Sequence, residues 1–502
     1  MTKPVDRSAR QRAIVAVATA VAAAAAVGAA GQGCGCHGRA SDSGVTGTTD
    51  SGTDAASDSG AAACNFPPPM VGGTAATDAL ADDPARCGSP AYTWLRDASL
   101  GSVLGIGSSA SYAAGTLAVL AGAAGVTLPR PPLYDASVRG FSYQTQDRGV
   151  LLAATAAVAW PEGLPADQAL DVVVILHGTM GFTDGCSAST NVGMQFLAAY
   201  FASLGHVVVL PDYIGLAAPG TTTGFPHPYL VGEATAIASL DAVRAVGAMA
   251  PADRGGMCVA PRFVTWGVSQ GGHAVLWVDR LAPYYAPELT ALGGVAAVPP
   301  ADLTTQAERS LSTVTAATGL VTAAAAATPT WYGYGGMLDQ ILVPPWDTDV
   351  PAALAASCNP TLDFSMMTLA DVFQPAVLSA ASAGTLETLD PFGCVMTENS
   401  LTSTSIARMG PGTGDPAYGV LFVLGEIDPI VDPTIEEASF DALCAAGMPL
   451  QFLKCAGAGH VEGALWSLGE ALDFMDARLA GTPLAAADLC NRGAAVTCSG
   501  TQ

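Results

Sequence analysis

Five residues in the middle of the chain, Gly267-Val268-Ser269-Gln270-Gly271, have the spacing G-x-S-x-G. That spacing suits a serine held at the tip of a sharp strand-to-helix turn, its hydroxyl exposed and its neighbours small because bulk there would clash. In a chain with 57 Gly the pattern can arise by chance, so its surroundings decide. An apolar stretch, Phe263 to Trp266, precedes it, and a helical stretch, Ala274 to Leu281, follows. The alternative is a tight turn without chemistry.

A serine hydroxyl needs a base to take its proton. The chain has six His: His37, His177, His206, His227, His273 and His460. Where a nucleophile sits on such an elbow, the chain order is Ser, acid, His. Only His273 and His460 follow Ser269, and His273 belongs to the elbow's own helix. His460 lies in Gly457-Ala458-Gly459-His460-Val461-Glu462-Gly463, a Gly-flanked loop able to swing an imidazole back over the serine. The acid is expected after the preceding strand, in Gly425-Glu426-Ile427-Asp428-Pro429-Ile430-Val431-Asp432-Pro433. Asp428 is the choice, to orient the imidazole and stabilise its cation. Glu426 and Asp432 are its rivals, and Asp432 also suits the cap of a helix over Thr434 to Leu443. A tetrahedral oxyanion needs fixed N–H donors. The backbone of Gln270 offers one, and the loop His177-Gly178-Thr179-Met180-Gly181 offers a second around Thr179, with His177 read as structural.

These residues need a scaffold. Val150 to Trp160, Val172 to Leu176, Val207 to Leu210, Phe263 to Trp266, Val295 to Val298, Val420 to Leu424 and Leu450 to Leu453 read as strands. The continuous apolar runs among them mark strands buried on both faces. Helical stretches alternate with them, among them Asn191 to Leu204, Glu233 to Met249 and His273 to Tyr285. The pattern predicts an α/β protein of the α/β-hydrolase type, with a mostly parallel central sheet flanked by helices. The core is expected over 136–300 and 417–502. Residues 301–416 exceed any crossover and predict an inserted, mainly helical cap over the carboxyl end of the sheet. It carries a helical stretch from Leu311 to Ala327 and an apolar set: Trp331, Tyr332, Tyr334, Trp346, Phe364, Met366, Met367 and Phe373. Most of these are expected to be the cap's own core. Residues 64–135 read as an N-terminal extension of loops and helices, one helix around Trp94, Leu95, Ala98 and Leu104, the other from Tyr112 to Ala124.

The ends speak to location. Residues 1–33, with Lys3, Arg7, Arg10 and Arg12 ahead of an Ala-rich stretch, read as an export signal in preference to a membrane-spanning helix. Cys34 after Gly33 resembles a lipoprotein acylation site, and plain secretion is the alternative. Residues 34–63, rich in Ser, Asp, Gly and Thr, read as a flexible spacer. Twelve Cys behind an export signal predict disulfides. A net charge of −24 argues against a nucleic-acid partner. Beyond the leader junction the Cys and His spacings do not suit zinc.

Taken together, the elbow, Tyr285-Ala286-Pro287-Glu288-Leu289, Asp241-Ala242-Val243-Arg244-Ala245, Asp428-Pro429-Ile430-Val431 and Gly459-His460 resemble the secretory lipase family of the fungal lipase A type over roughly residues 140–490. The resemblance implies a triad of Ser269, Asp428 and His460, oxyanion contacts at Thr179 and Gln270, lipase or esterase activity on apolar acyl esters, no cofactor and no metal. By position it suggests the bridges Cys186–Cys358 and Cys444–Cys490. The family's fungal member carries an acidic residue where Thr179 stands, so the oxyanion contact would be made differently here. The leader, the spacer and the Cys-containing tail fall outside the likeness. A monomer acting on a small-molecule or lipid ester is expected, held at a membrane if Cys34 is acylated. Two other readings remain. An exported serine aminopeptidase would need carboxylates for a substrate ammonium, and the cap offers Asp339, Asp347, Asp349, Asp363 and Asp371. A non-catalytic lipid-binding surface protein would keep the fold without the chemistry.

Overall fold

A computed structural model describes residues 66–71, 87, 94–224, 226–360, 362, 367–403 and 417–501. The expected leader, spacer and Cys34 lie outside the described residues, as do Cys64, Asp363, Phe364 and Met366. No helix among the described residues is long and apolar enough to cross a membrane.

Nine strands form one sheet: β1 (Val103–Tyr112), β2 (Ala136–Asp147), β3 (Val150–Pro161), β4 (Ala169–Leu176), β5 (Val207–Pro211), β6 (Cys258–Val268), β7 (Thr290–Ala297), β8 (Gly419–Gly425) and β9 (Leu450–Cys455). Their spatial order is β1-β2-β3-β5-β4-β6-β7-β8-β9. The first three pair antiparallel, as does β3 with β5, and every later pair is parallel. The central parallel strands carry continuous apolar runs because their residues meet a core on both faces. In β4, Val172, Val174 and Leu176 enter one cluster while Val173 and Ile175 enter the other.

Helices cover both faces. On one face lie α3 (Gly232–Ala248), α4 (Gln270–Tyr285) and α10 (Pro433–Ala445). On the other lie α1 (Ala114–Ala123), α2 (Val192–Ser203) and α12 (Leu468–Leu479). Between β7 and β8 the chain leaves the sheet and builds a cap from α5 (Leu303–Ser312), α6 (Thr318–Ala327), α7 (Trp346–Ala356), α8 (Pro375–Ala383) and α9 (Phe392–Asn399). A final short helix, α11 (His460–Trp466), follows β9.

Three local expectations change. Leu104 belongs to strand β1, not to a helix, so the sheet already begins within the segment read as an extension. β1 sits at the sheet's edge, and its Gly- and Ser-rich sequence is mostly exposed, so it lacks the apolar alternation that signals a strand. β2, also unassigned from sequence, carries polar residues that it buries: Thr145, Gln146 and Asp147. The stretch Leu311 to Ala327 breaks at 313–317 into the end of α5 and all of α6.

Disulfides join Cys186–Cys358 and Cys444–Cys490, the two pairs suggested by position, and also Cys87–Cys394 and Cys455–Cys498. Cys258 is disulfide-bonded as well. Two of these bridges, through Cys358 and Cys394, tie the cap to residues outside it.

Candidate active site

Ser269 stands between β6 and α4 with φ 58° and ψ −116°, a conformation that costs a non-glycine residue about 1–3 kcal/mol. The flanking glycines make it possible. A Cβ on Gly271 would stand 1.9 Å from the Leu176 carbonyl oxygen at the end of β4, and one on Gly267 would stand 2.2 Å from the Gly271 oxygen. The Ser269 N–H donates to the Ala297 carbonyl at the end of β7 (2.9 Å), which ties the elbow to the next strand. Ser269 is partly exposed, and its hydroxyl makes no hydrogen bond among the described residues.

Across the end of β7, the His460 loop packs on β8. Val298 N–H donates to the Val423 oxygen (2.8 Å), and a Cβ on Gly463 would meet Val298 Cγ1 at 2.9 Å. Ile427 N–H donates to the Ala458 oxygen (2.9 Å), which joins the acid loop to the His loop. His460 opens α11, and its Nδ1 donates to Asp428 Oδ2 at 2.6 Å. The other carboxylate oxygen, Oδ1, accepts from Ile430 N–H (2.8 Å) and Val431 N–H (3.0 Å). The Asp428 side chain is 2% exposed, so these three donors fix its plane. Its rivals have other duties. Glu426 accepts from Gly457 N–H (2.7 Å) and holds the His loop. Asp432 caps α10 through Thr434 N–H and pairs with Arg309 at 3.2 Å.

The loop after β4 passes beside the elbow: a Cβ on Gly178 would come within 3.9 Å of Ser269 Cβ. Thr179 follows, its Oγ1 bonded to the Tyr229 hydroxyl at 2.8 Å. The Thr179 backbone N–H has no acceptor among the described residues, and that of Gln270, first in α4, has none within its helix. The Gln270 side chain turns inward, donating its amide to His227 Nε2 at 2.7 Å.

The remaining described His residues do not pair with a carboxylate at the site. His177 is buried and stacked on Tyr213 at 3.9 Å, and burial pulls its pKa down to about 4, so it stays neutral. His273 is likewise buried, facing the Asn399 carbonyl at 2.9 Å, with its pKa pulled to about 4 by desolvation. His206 precedes β5, at the far end of the sheet, 3.8 Å from Asp476.

A small, mostly apolar pocket opens at Ser269 and Gln270. Its cap-side wall is made of small and aliphatic side chains, Ala317, Leu320, Val321 and Ala324 of α6 and the turn before it, with Ala307 of α5. The cap aromatics stand elsewhere: Trp331, Tyr332, Tyr334 and Phe373 are buried in the cap's own core. Polar groups on the wall are few, and besides Ser269 and Gln270 they are Tyr229 and Gln306. His227, Tyr229 and Gln306 were not singled out from sequence. His227 precedes Ser269 in the chain, and the other two carry no motif.

This sheet, elbow and cap define an α/β-hydrolase fold. Solved structures share it. The rice cell wall degrading esterase LipA from Xanthomonas oryzae superposes with a TM-score of 0.61 at 18% identity, over 76% of this chain and 97% of that one. Candida antarctica lipase A in its closed state gives a TM-score of 0.58 at 15% identity, over 82% and 88%. The chain belongs to the secretory lipase family, whose sequence model matches residues 184–487. Lipase 6 of Candida albicans is 39% identical over 114 residues, and that match spans only 22% of either chain.

Proposed function

We propose that this protein is an exported serine hydrolase that cleaves carboxylic esters with apolar acyl groups through an acyl-enzyme. The observation that carries the reading is the fixed Asp428–His460 pair, whose loops pack on the same strand end that holds the Ser269 elbow. With Nδ1 donating to Asp428, the imidazole keeps its Nε2 lone pair for the serine proton. In apo structures such Ser–His bonds are often long and tighten with substrate. Ser269 Oγ attacks the ester carbonyl as His460 takes its proton. The oxyanion is met by the N–H groups of Gln270 and Thr179. His460 then returns the proton to the leaving alcohol, and water repeats the cycle on the acyl-enzyme.

The family, the disulfides and the basic leader support export. Acylation of Cys34 would add a membrane tether, and a monomer suffices for the site, whose residues all come from one chain. The pocket wall favours an acyl chain over an amino acid. Among the described residues no carboxylate lines it, and Asp339, Asp349 and Asp371 are exposed on the cap. An aminopeptidase would have to hold a substrate ammonium there without a counter-charge. The test is a fluorophosphonate probe on wild type and Ser269→Ala, with parallel assays on p-nitrophenyl esters and aminoacyl anilides. Labelling of wild type alone with ester turnover is expected. Labelling of neither protein would leave a lipid-binding role, and faster anilide cleavage would make it an aminopeptidase.

A further inference from the structure

Residues 226–231 form a strap between β5 and α3 that is held from two sides. His227 N–H donates to the Phe182 carbonyl at 3.0 Å. Gly215, at φ +83°, lies so close beneath that a Cβ there would stand 2.4 Å from the His227 backbone. From this anchored strap two residues, separated by Pro228, reach Gln270, which directly follows Ser269, and Thr179, which follows Gly178 beside the elbow. His227 Nε2 accepts the Gln270 side-chain amide at 2.7 Å, and the Tyr229 hydroxyl bonds Thr179 Oγ1 at 2.8 Å. The roles at His227 are set by its other nitrogen: Nδ1 lies 2.7 Å from the Ile214 carbonyl and must donate, so Nε2 must accept.

We propose that His227 and Tyr229 are positioning residues for the oxyanion hole, His227 through Gln270 and Tyr229 through Thr179. This rests on Ser269 being the nucleophile. The Gln270 side chain, tied down by His227, fixes the first turn of α4 and so the direction of the Gln270 N–H. With Tyr229 donating to Thr179 Oγ1, the threonine proton is free to turn toward the oxyanion beside its own N–H. The protonation states suit these tasks. Burial pulls His227 down to about 3, leaving it a neutral acceptor, and pushes Tyr229 up to about 12, leaving it a donor.

The test uses the purified full chain with a p-nitrophenyl ester, thermal melts and fluorophosphonate labelling run to completion. Tyr229→Phe removes one oxygen and should fold like wild type. It should lower kcat about tenfold or more with KM within twofold, since a misdirected donor is missed mainly in the transition state. Thr179→Val should do the same, and the double variant should be no worse than the worse single one. His227→Phe should lose kcat likewise, while His227→Gln, which restores an acceptor, should recover most of it. Tyr229→Phe with wild-type kcat overturns the proposal, as do losses that add across Tyr229 and Thr179, or a loss confined to KM. So does a His227→Gln variant as poor as His227→Phe. If wild type does not label at Ser269, the hydrolase reading falls and the proposal with it. If it labels and the variants behave in any of those ways, only the positioning role falls.

Discussion

Replacing Asp428 with Asn changes two atoms' chemistry and little else. The wild-type carboxylate accepts three hydrogen bonds: Ile430 and Val431 N–H on one oxygen, His460 Nδ1 on the other. The Asn carbonyl can keep the two backbone donors at the reduced strength of a neutral acceptor. With a side chain 2% exposed, that loss is about 2 kcal/mol of stability, small enough for the protein to stay folded. The consequence for His460 is larger. The Asn amino group now faces Nδ1, so the imidazole must accept there and carry its proton on Nε2. That tautomer cannot take the Ser269 proton. A wrong tautomer in a Ser-His-Asp site drops kcat by about 10⁴, or roughly 5.5 kcal/mol. Steady-state hydrolysis of a p-nitrophenyl ester, paired with a thermal melt, reads both quantities. Asp428→Asn that melts near wild type yet keeps kcat within tenfold would show that this carboxylate does not orient the base.

Ala324→Phe fills the pocket wall on α6 and should cut kcat/KM for octanoyl and longer esters by about tenfold or more while leaving acetyl esters within about threefold. A chain-length series measures it. Glu436 is buried against Gln306 Nε2 (2.9 Å) and Ala301 N–H (3.0 Å), and desolvation raises its pKa from 4.5 to about 8. Because the folded value is raised, the protonated carboxyl's contribution is whole below about pH 4.5 and is lost as pH rises through about 8. Melts of Glu436→Gln should therefore gain on wild type between about pH 5 and pH 8 and level off above that, and a pH-independent difference would contradict the assignment. Arg244→Ala breaks a buried cluster far from the elbow and should cost about 3–5 kcal/mol of stability, with kcat/KM of the folded enzyme within about threefold.

How much of this could be read from sequence follows from what kind of contact each residue makes. β5, β8 and the Val172–Leu176 stretch of β4 announce themselves because burial on both faces demands a continuous apolar run. β1 is silent because an exposed edge makes no such demand. The elbow is legible because backbone crowding admits only Gly at 267 and 271. The juxtaposition of Asp428 and His460 follows from chain order and from the shortage of His after Ser269. The motifs that carried the family likeness outside the site have a structural meaning that the likeness did not supply. Arg244 binds Asp241 (2.8 Å), Glu288 (2.6 Å) and the Tyr285 carbonyl (2.8 Å), and Tyr285 OH donates to Asp241 (2.9 Å). Together they pin the C-terminal end of α4 to α3. His227 and Tyr229 left no trace, because their partners lie 43 and 50 residues away and no local periodicity records such a contact.

The cap and the Asp428 loop are joined so closely that the pocket and the Asp428–His460 pair cannot vary independently. Arg309 of α5 reaches the Pro429 and Ile430 carbonyls as well as Asp432, and Gln306 Oε1 accepts from Asp432 N–H at 3.2 Å. The same helix lines the pocket through Leu303, Gln306 and Ala307. At its other end the cap is held by Asn399, whose side chain accepts from Gly232 N–H (3.0 Å) and donates to Tyr332 OH (2.7 Å), and by Cys87–Cys394 and Cys186–Cys358. Bridges that close 307 and 172 residues each remove about 5 kcal/mol of freedom from the unfolded chain in the loop-entropy view. The pocket is set by side-chain volume on and just before α6, where Ala317 and Ala324 leave room that larger residues would close. Changes on α5, by contrast, must travel into the loop that holds Asp428. Substitutions on α6 should therefore move KM and chain-length preference, while equally small ones at Gln306 or Arg309 should move kcat.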